Sequence, residues 1–310
     1  MKASMANYRQ CVRLAILAAG LFVQLLAHAQ PGGIESPAGS DPAIDLAAVD
    51  WMHGAPNCER ARAAPGYLEW QQVRYAANTY IFRQNKCANY EGPFVYLFVG
   101  SEGGLLIDTG ATEEGGPALL ETVRGITRLP ITVAHSHGHG DHRAGDEAFR
   151  QADGFTLVEV GQEAVREFFG FSNWPRGSVT LDLGGREIEI LAIPGHSDDD
   201  LAYYDPESRL IITGDSLYPG RLYVRDWLQY RDSIGSLAAW VEDKAISHVL
   251  GTHIEMSSTP NQDYPIGTTY QPQEHQLPLE VADIFRLRDA MVEIDQPTRI
   301  PLGSFIIWPL

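Results

Sequence analysis

Cysteine is scarce in this chain: three in 310 residues. Cys11 precedes an apolar stretch near the N-terminus, and Cys58 and Cys87 are the two thiols that follow it. No cysteine lies near the histidines of the central region, so any metal site there rests on imidazole and carboxylate. An even pair in an oxidising compartment predicts a Cys58–Cys87 disulfide tying an N-terminal extension to the first strands. Two separate buried thiols are the alternative, because sequence spacing says nothing of Cα separation. Positive charge is scarce as well. Lys and Arg number 23 against 40 Asp and Glu, a formal net charge of −17. Such a balance excludes the cationic patches that nucleic-acid backbones require, and it argues against an anionic membrane surface as partner.

The chain also lacks an apolar run of the roughly 20 residues that a membrane-spanning helix needs. The apolar stretch Leu14 to Ala27 is shorter, follows Lys2, Arg9 and Arg13, and ends in Ala27-His28-Ala29, a small-x-small pattern. These are the marks of a secretory signal over residues 1–29, with an uncleaved anchor as the alternative. The expectation is therefore a periplasmic or secreted protein with no stable membrane insertion after cleavage. Removing those residues takes the net charge from −17 to −20, since they carry three bases and no acid. Residues 30–70 read as a leader and N-terminal extension, opening on Gln30, Pro31, Gly32 and Gly33, and residues 71–310 as one domain.

Beyond the leader there is no internal repeat and no low-complexity block. Apolar or alternating runs at Thr79–Arg83, Phe94–Val99 and Gly104–Asp108 predict consecutive strands, and Leu129–Ala134 another. Helices are expected over Pro117–Gly125, Ala144–Gln151 and Gln162–Phe169, with a strand at Phe155–Val160. The second half predicts strands at Glu187–Ile193, Leu201–Tyr204, Leu210–Thr213 and His248–Leu250, and a helix at Ser233–Asp243. Leu277 to Val292 has helical periodicity, and Ser304–Ile307 reads as a closing strand. Strands preceding helices in two successive halves suggest two packed sheets with helices outside.

The richest segment is His137-Gly138-His139-Gly140-Asp141-His142, directly after a β-branched strand. On extended backbone, His137 and His139 project the same way and can share one ion. Asp141 and His142 follow at once and can turn towards a second. Imidazole with carboxylate suits Zn²⁺, or Fe or Mn. Four further strand ends carry single candidates: Leu106-Ile107-Asp108-Thr109-Gly110, Ile193-Pro194-Gly195-His196-Ser197, Ile212-Thr213-Gly214-Asp215-Ser216 and Val249-Leu250-Gly251-Thr252-His253. Each alone is weak, since strand-end Asp-Gly is usually a turn. Together and in this order they are informative.

In these motifs the sequence resembles the metallo-β-lactamase-fold hydrolase superfamily over roughly residues 75 to 255. The resemblance implies an α+β fold, an αββα sandwich of two facing mixed β-sheets with helices outside and metals at one edge. It implies His137, His139 and His196 as ligands of a first metal, and Asp141, His142 and His253 as ligands of a second. Asp215 then stands as the bridge between them, and Asp108 as the acid orienting the histidine cluster. Two Zn²⁺ per chain are expected. An aspartate at 215 departs from the zinc β-lactamases and resembles the glyoxalase II, lactonase, arylsulfatase-like and RNA-processing branches, of which the last conflicts with the acidic charge and the expected export.

The chemistry implied is hydrolysis of a small ester, thioester, lactone or amide by a metal-activated water, with Asp141 holding or moving the proton. The alternatives are a β-lactamase, an iron-dependent redox enzyme of the same fold resembling persulfide dioxygenases, and a metal-free binding module. Substrate contacts are expected from Tyr218, Arg221 and Tyr223, which follow Asp215, and from a lid over 257–275 containing Tyr264 and Tyr270. His135 reads as a strand-end structural residue, and Asp198-Asp199-Asp200 as a solvated loop. The partner expected is a small-molecule substrate; the sequence leaves oligomeric state open.

Overall fold

A computed structural model describes residues 43–294 and 296–310. The expected signal, Cys11 and the start of the leader lie outside the described residues. From residue 43 onward the extension is packed: Leu46 and Trp51 are buried, and Trp51 meets the edge of Phe94 at a ring distance of 5.0 Å. A short helix, α1 (Cys58–Arg62), carries Cys58 to a disulfide with Cys87, their Cα atoms 4.8 Å apart.

The first half supplies β1 (Trp70–Ala76), β2 (Thr79–Gln84), β3 (Phe94–Val99), β4 (Gly104–Ile107), α2 (Gly115–Ile126), β5 (Ile131–Ala134), α3 (Gly140–Arg143), α4 (Asp146–Arg150), β6 (Phe155–Leu157) and α5 (Gln162–Phe169). The second half runs β7 (Ser178–Asp182), β8 (Glu187–Ala192), β9 (Leu201–Asp205), β10 (Leu210–Gly214), β11 (Arg221–Val224), α6 (Trp227–Val241), β12 (His248–Gly251), β13 (Pro278–Leu279), α7 (Val281–Glu293), β14 (Ile300–Pro301) and β15 (Ile306–Pro309). The six strands of one sheet lie in the order β1-β2-β3-β4-β5-β6, those of the other in the order β13-β12-β10-β9-β8-β7. β11, β15 and β14 make a small third sheet.

Hydrophobic patterning explains the layers. Central strands β3, β4, β9 and β10 are buried at every position, as a strand covered on both faces must be. One face of each sheet meets the other across a core that includes Ile81, Phe98 and Ile107 opposite Ile190, Tyr203 and Ile212. Leu119, Val123 and Phe149 of α2 and α4 cover the back of the first sheet, against Phe82, Leu97 and Val133. On the back of the second lie Tyr230, Ile234 and Leu237 of α6 and Leu287 of α7, against Ala202, Ile211 and Val249. Burying each such side chain contributes about 1.5–3 kcal/mol. The result is the expected αββα sandwich.

Caps fix the two helices behind the second sheet. Asp226 accepts from the Gln229 N–H at 3.0 Å and starts α6, and Glu280 with Asp283 forms a reciprocal cap on α7. Two expectations are corrected. The helix expected at Ala144–Gln151 is shorter, α4 alone, and an unexpected turn of helix at Gly140–Arg143 precedes it. The expected loop after Asp215 contains strand β11, which pairs in parallel with β15. Among the described residues no helix is long and apolar enough to cross a membrane.

Candidate metal centre

Strands β4 and β5 are parallel, and so are β10 and β12, so their C-terminal ends release chain at one edge of the sandwich. Asp108 leaves β4, the histidine run leaves β5, His196 follows β8, Asp215 follows β10 and His253 follows β12. Three of these exits have positive-φ backbone, at Asp108, at Gly195 and, at φ +54°, at Gly214 before Asp215. Asp108 is left-handed at φ +71°, a conformation that strains a non-glycine residue by roughly 1 kcal/mol or more and that concentrates at functional sites. Gly195 has φ +147°, and a Cβ there would lie 2.4 Å from the Tyr230 backbone, so glycine alone lets the turn before His196 seat on α6.

Two groups of side chains converge. His137, His139 and His196 form one; Asp141, His142, Asp215 and His253 form the other. In the first, His196 Nε2 lies 3.2 Å from His137 Nε2 and 3.0 Å from His139 Nδ1. In the second, His253 Nε2 is 3.2 Å from His142 Nε2, and Asp141 Oδ2 is 3.3 Å from the former and 3.4 Å from the latter. Asp215 reaches both groups. Its Oδ2 is 3.7 Å from His196 Nε2 and 3.6 Å from His142 Nε2, while Oδ1 is 3.5 Å from His253 Nε2.

The outward nitrogens settle what the inward ones present. His196 Nδ1 donates to the Tyr223 carbonyl at 2.7 Å, His253 Nδ1 to the Glu91 carbonyl at 3.2 Å, and His142 Nδ1 to Asp108 Oδ2 at 3.0 Å. His196, neutral, therefore turns its Nε2 lone pair inward towards His137 and His139, and at His142 and His253 a cation would take the place of the proton that the carboxylates favour on Nε2. Facing lone pairs at 3.2 Å repel unless a cation lies among them, so the donor set fits divalent metals. Asp108 is well placed to hold this: Oδ1 accepts from the Ser136 N–H at 2.7 Å and Oδ2 from the Ser136 hydroxyl at 2.8 Å.

Electrostatics separate the groups. Burial pushes His137 well below the ordinary imidazole range and His196 down to about 4, so the first group is neutral imidazole. At His142 and His253 burial acts in the same direction, but carboxylates outweigh it: Asp141, Asp215 and Asp108 hold His142 well above its usual value, and Asp215 with Asp141 raises His253 to about 9. The second group thus carries strong negative potential. Behind it, burial opposes charge on His135, yet Asp108 and Asp146 raise that histidine to about 9.

The surroundings differ from the sequence reading. Arg221, expected to face substrate, is 3% exposed; it pairs with Glu255, and donates to Asp263 Oδ2 and the Tyr264 carbonyl at 2.8 Å each and to the Tyr223 hydroxyl at 2.8 Å. Tyr218 is buried, and its hydroxyl, 2.9 Å from Glu255 Oε2, is spent on that network. Tyr223, half-buried, lines the cavity together with Tyr218; Arg221 does not. A cavity of about 240 Å³ lies over the two groups, lined also by Glu91, Arg225 and Leu310; Tyr264 and Tyr270 are not among its lining residues. Beside His196 a larger cleft of about 630 Å³ opens between Trp174, Pro175, Gln162, Gln229 and Arg225. His196 and Arg225 line both.

The acidic triplet is the clearest correction. Asp198 is exposed, but Asp199 and Asp200 are 3% and 2% exposed and bind loop N–H groups. A triplet of acids pressed between a histidine and an apolar strand was the signal, because a strand so covered leaves little room for solvated neighbours. Lys86 was also missed: it is buried, its Nζ donates to the carbonyls of Tyr90 and Glu91 at 3.2 and 3.3 Å, and the Glu91 carbonyl is the one that orients His253.

With this geometry in hand, comparison with known proteins is direct. The family model of the metallo-beta-lactamase superfamily matches residues 89–292. Hydroxyacylglutathione hydrolase of Dechloromonas aromatica (strain RCB) is 24% identical over 204 residues, covering 65% of this chain and 71% of that protein. The hydroxyacylglutathione hydrolase of Rhizobium meliloti (strain 1021) is 27% identical over 117 residues, but the match covers 37% of this chain and 45% of that protein. Acyl-coenzyme A thioesterase MBLAC2 of Homo sapiens is 24% identical over 188 residues, 48% of this chain and 67% of that protein. Among solved structures, a metallo-beta-lactamase from Pontibacter korlensis superposes with a TM-score of 0.53 at 17% identity, covering 73% of this chain and 100% of that one. Another from Erythrobacter litoralis gives 0.51 at 16% identity, covering 73% and 97%. At such identities these two show the shared fold.

Proposed function

Because the chain belongs to the metallo-beta-lactamase superfamily, we propose that it is a dinuclear zinc-dependent hydrolase of small ester, thioester, lactone or amide substrates, working in the periplasm or outside the cell. The observation that carries this reading is the convergence of two inward-facing donor groups on one shared carboxylate, Asp215. His137, His139 and His196 would hold one ion, Asp141, His142 and His253 the other. Bound there, the pair would supply a hydroxide nucleophile near neutral pH and positive charge opposite a developing oxyanion.

The chain's own residues do the rest. Asp141 is the most open acid of the set, its side chain 27% exposed, and it lines the cavity, where its carboxylate can accept the proton of an attacking water. Its neighbours His142 and His253 overcome the effect of burial and keep it ionised. Asp108 and Ser136 fix the His142 ring, and the Tyr223 carbonyl fixes His196, so neither ring has to reorganise during turnover. The cleft beside His196 gives space for the non-reacting arm of a substrate, with Trp174 as an apolar wall and Arg225 at its junction with the cavity. Thioesters come first among the classes to assay, since one relative bears the name thioesterase.

The test is metal analysis by mass spectrometry on protein purified without added metal, alongside a panel of thioesters, aryl esters, lactones, nitrocefin and phosphodiesters. Near two zinc ions per chain with turnover of a thioester, ester or lactone is the expected result. Iron with oxygen uptake, or no more than stray metal after zinc dialysis, overturns it.

A further inference from the structure

Asp199 touches no inward-facing donor atom, yet it binds the backbone on both sides of the first ligand group. Its Oδ1 accepts from the Gly138 N–H at 3.1 Å and from the Ser197 hydroxyl at 2.7 Å, and its Oδ2 from the Gly161 N–H at 2.7 Å. Gly138 is the residue between His137 and His139, and Ser197 is the residue after His196. Gly161, at φ +96°, begins α5. One buried carboxylate thus ties together three segments that are remote in sequence. Two of them carry all three first-group histidines.

The fit is close. A Cβ on Gly138 would lie 2.8 Å from Asp199 Oδ2 and 3.2 Å from the Val160 Cβ, so the loop comes down onto the carboxylate only because position 138 has no side chain. Next to it, Asp200 Oδ2 accepts from the Ser197 N–H at 2.6 Å, which closes the His196 turn on itself without reaching the histidine run. The side-chain link between the two loops runs through Asp199, beside one backbone bond from the Leu201 N–H to the Ser136 carbonyl at 2.9 Å. A carboxylate accepting N–H and O–H donors in a water-poor setting makes strong, directional bonds, and the spacing they set is the spacing of His137 and His139 from His196.

We propose that Asp199 is a positioning residue for the first ligand group: it fixes the distance between the histidine run and His196, and so sets how tightly that group alone retains its ion. The proposal rests on the assignment of those three histidines as ligands. It predicts selectivity, because the second group takes its order from other contacts, Asp108 under His142 and the Glu91 carbonyl under His253.

The experiment loads the full chain with zinc and challenges it with a graded series of chelator, counting zinc retained per chain. A His139→Ala variant marks which of the two steps belongs to the first group. In Asp199→Ala the first-group step should move to chelator concentrations about ten- to hundredfold lower, the range seen when residues behind metal ligands are removed, with the second step in place. Asp199→Asn keeps one oxygen for Gly138 and Ser197 and should retain the first ion to within a few-fold. Ser197→Ala removes a single contact and should shift the same step less than Asp199→Ala does. Should Asp199→Ala fail to fold, Ser197→Ala and Asp199→Asn decide the matter by the same selective ordering. Equal weakening of both steps, or no shift of either, overturns the proposal. A wild-type chain that retains no zinc at all overturns instead the assignment of the metal centre.

Discussion

The two donor groups lie side by side, but the protein holds them by different means. The first is three neutral imidazoles, two of them buried, spaced by Asp199, which accepts from the Gly138 N–H, and by the Tyr223 carbonyl, which accepts from His196. The second is dense with charge: Asp141 and Asp215 face His142 and His253, with Asp108 behind. Buried cations Lys86 and Arg221 brace its surroundings, Lys86 through the carbonyls of Tyr90 and Glu91 and Arg221 through Glu255. One group is built by geometry and the other by electrostatics. Losing a contact near the first should misplace a lone pair, whereas losing one near the second should leave a buried charge uncompensated.

The change with the largest expected effect is at the residue common to both. Asp215→Ala should cut turnover by roughly a thousandfold or more, on the scale of lost electrostatic and proton-transfer contributions, and lower zinc to about one ion per chain; steady-state kinetics with metal counting checks it. Unchanged turnover would leave the two groups unconnected. Next is Arg221→Ala, which strands Glu255 and Asp263. It should cost about 3–5 kcal/mol of stability, as breaking a buried ion pair does, and KM measured on the cooled, folded variant should stay at the wild-type value. A raised KM with unchanged unfolding would return Arg221 to the substrate.

Lys86 gives a pH-dependent contrast. Burial and the neighbouring Arg83 lower it from 10.5 to about 8. Below pH 8 both folded and unfolded chains carry its charge and burial is penalised in full. Between about 8 and 10.5 the folded chain has released the proton and the unfolded chain has not, so stability contributed by this group rises with pH, by at most about 3 kcal/mol. Urea unfolding of wild type and Lys86→Met across that range should show the rise in wild type only. The smallest effect is expected from Asp108→Asn, which keeps the shape but weakens the hold on His142. Zinc affinity of the second group should fall about ten- to hundredfold, read by chelator competition, with the first group unaffected.

The sequence displayed the donors well and their supports poorly. Strands buried on both faces, such as Phe94–Val99, announce themselves as continuous apolar runs, and the histidine run stands out because its spacing is local. Edge strands do not: β1 and β7 interleave exposed residues such as Gln72, Arg74 and Thr180 with half-buried ones, and their identity depends on a neighbour. The same holds for Arg221, which reads as a substrate contact in sequence, whereas the fold pairs its strand with β15 and encloses its guanidinium between Glu255 and Asp263. Asp199 and Asp200 were misread for that reason. Composition marks an acid as a solvated group, and only the packed loops show it enclosed.

Each donor group draws on both sheets. The histidine run hangs from the first, whereas His196, Asp215 and His253 hang from the second. An ion in either place therefore acts as a rivet through the sandwich, and a fragment containing one layer would offer no complete cage. Occupancy would then be a late event in maturation, reporting that the halves have docked. Any rise in melting temperature on zinc addition would measure how much that riveting adds to the adhesion of the two layers.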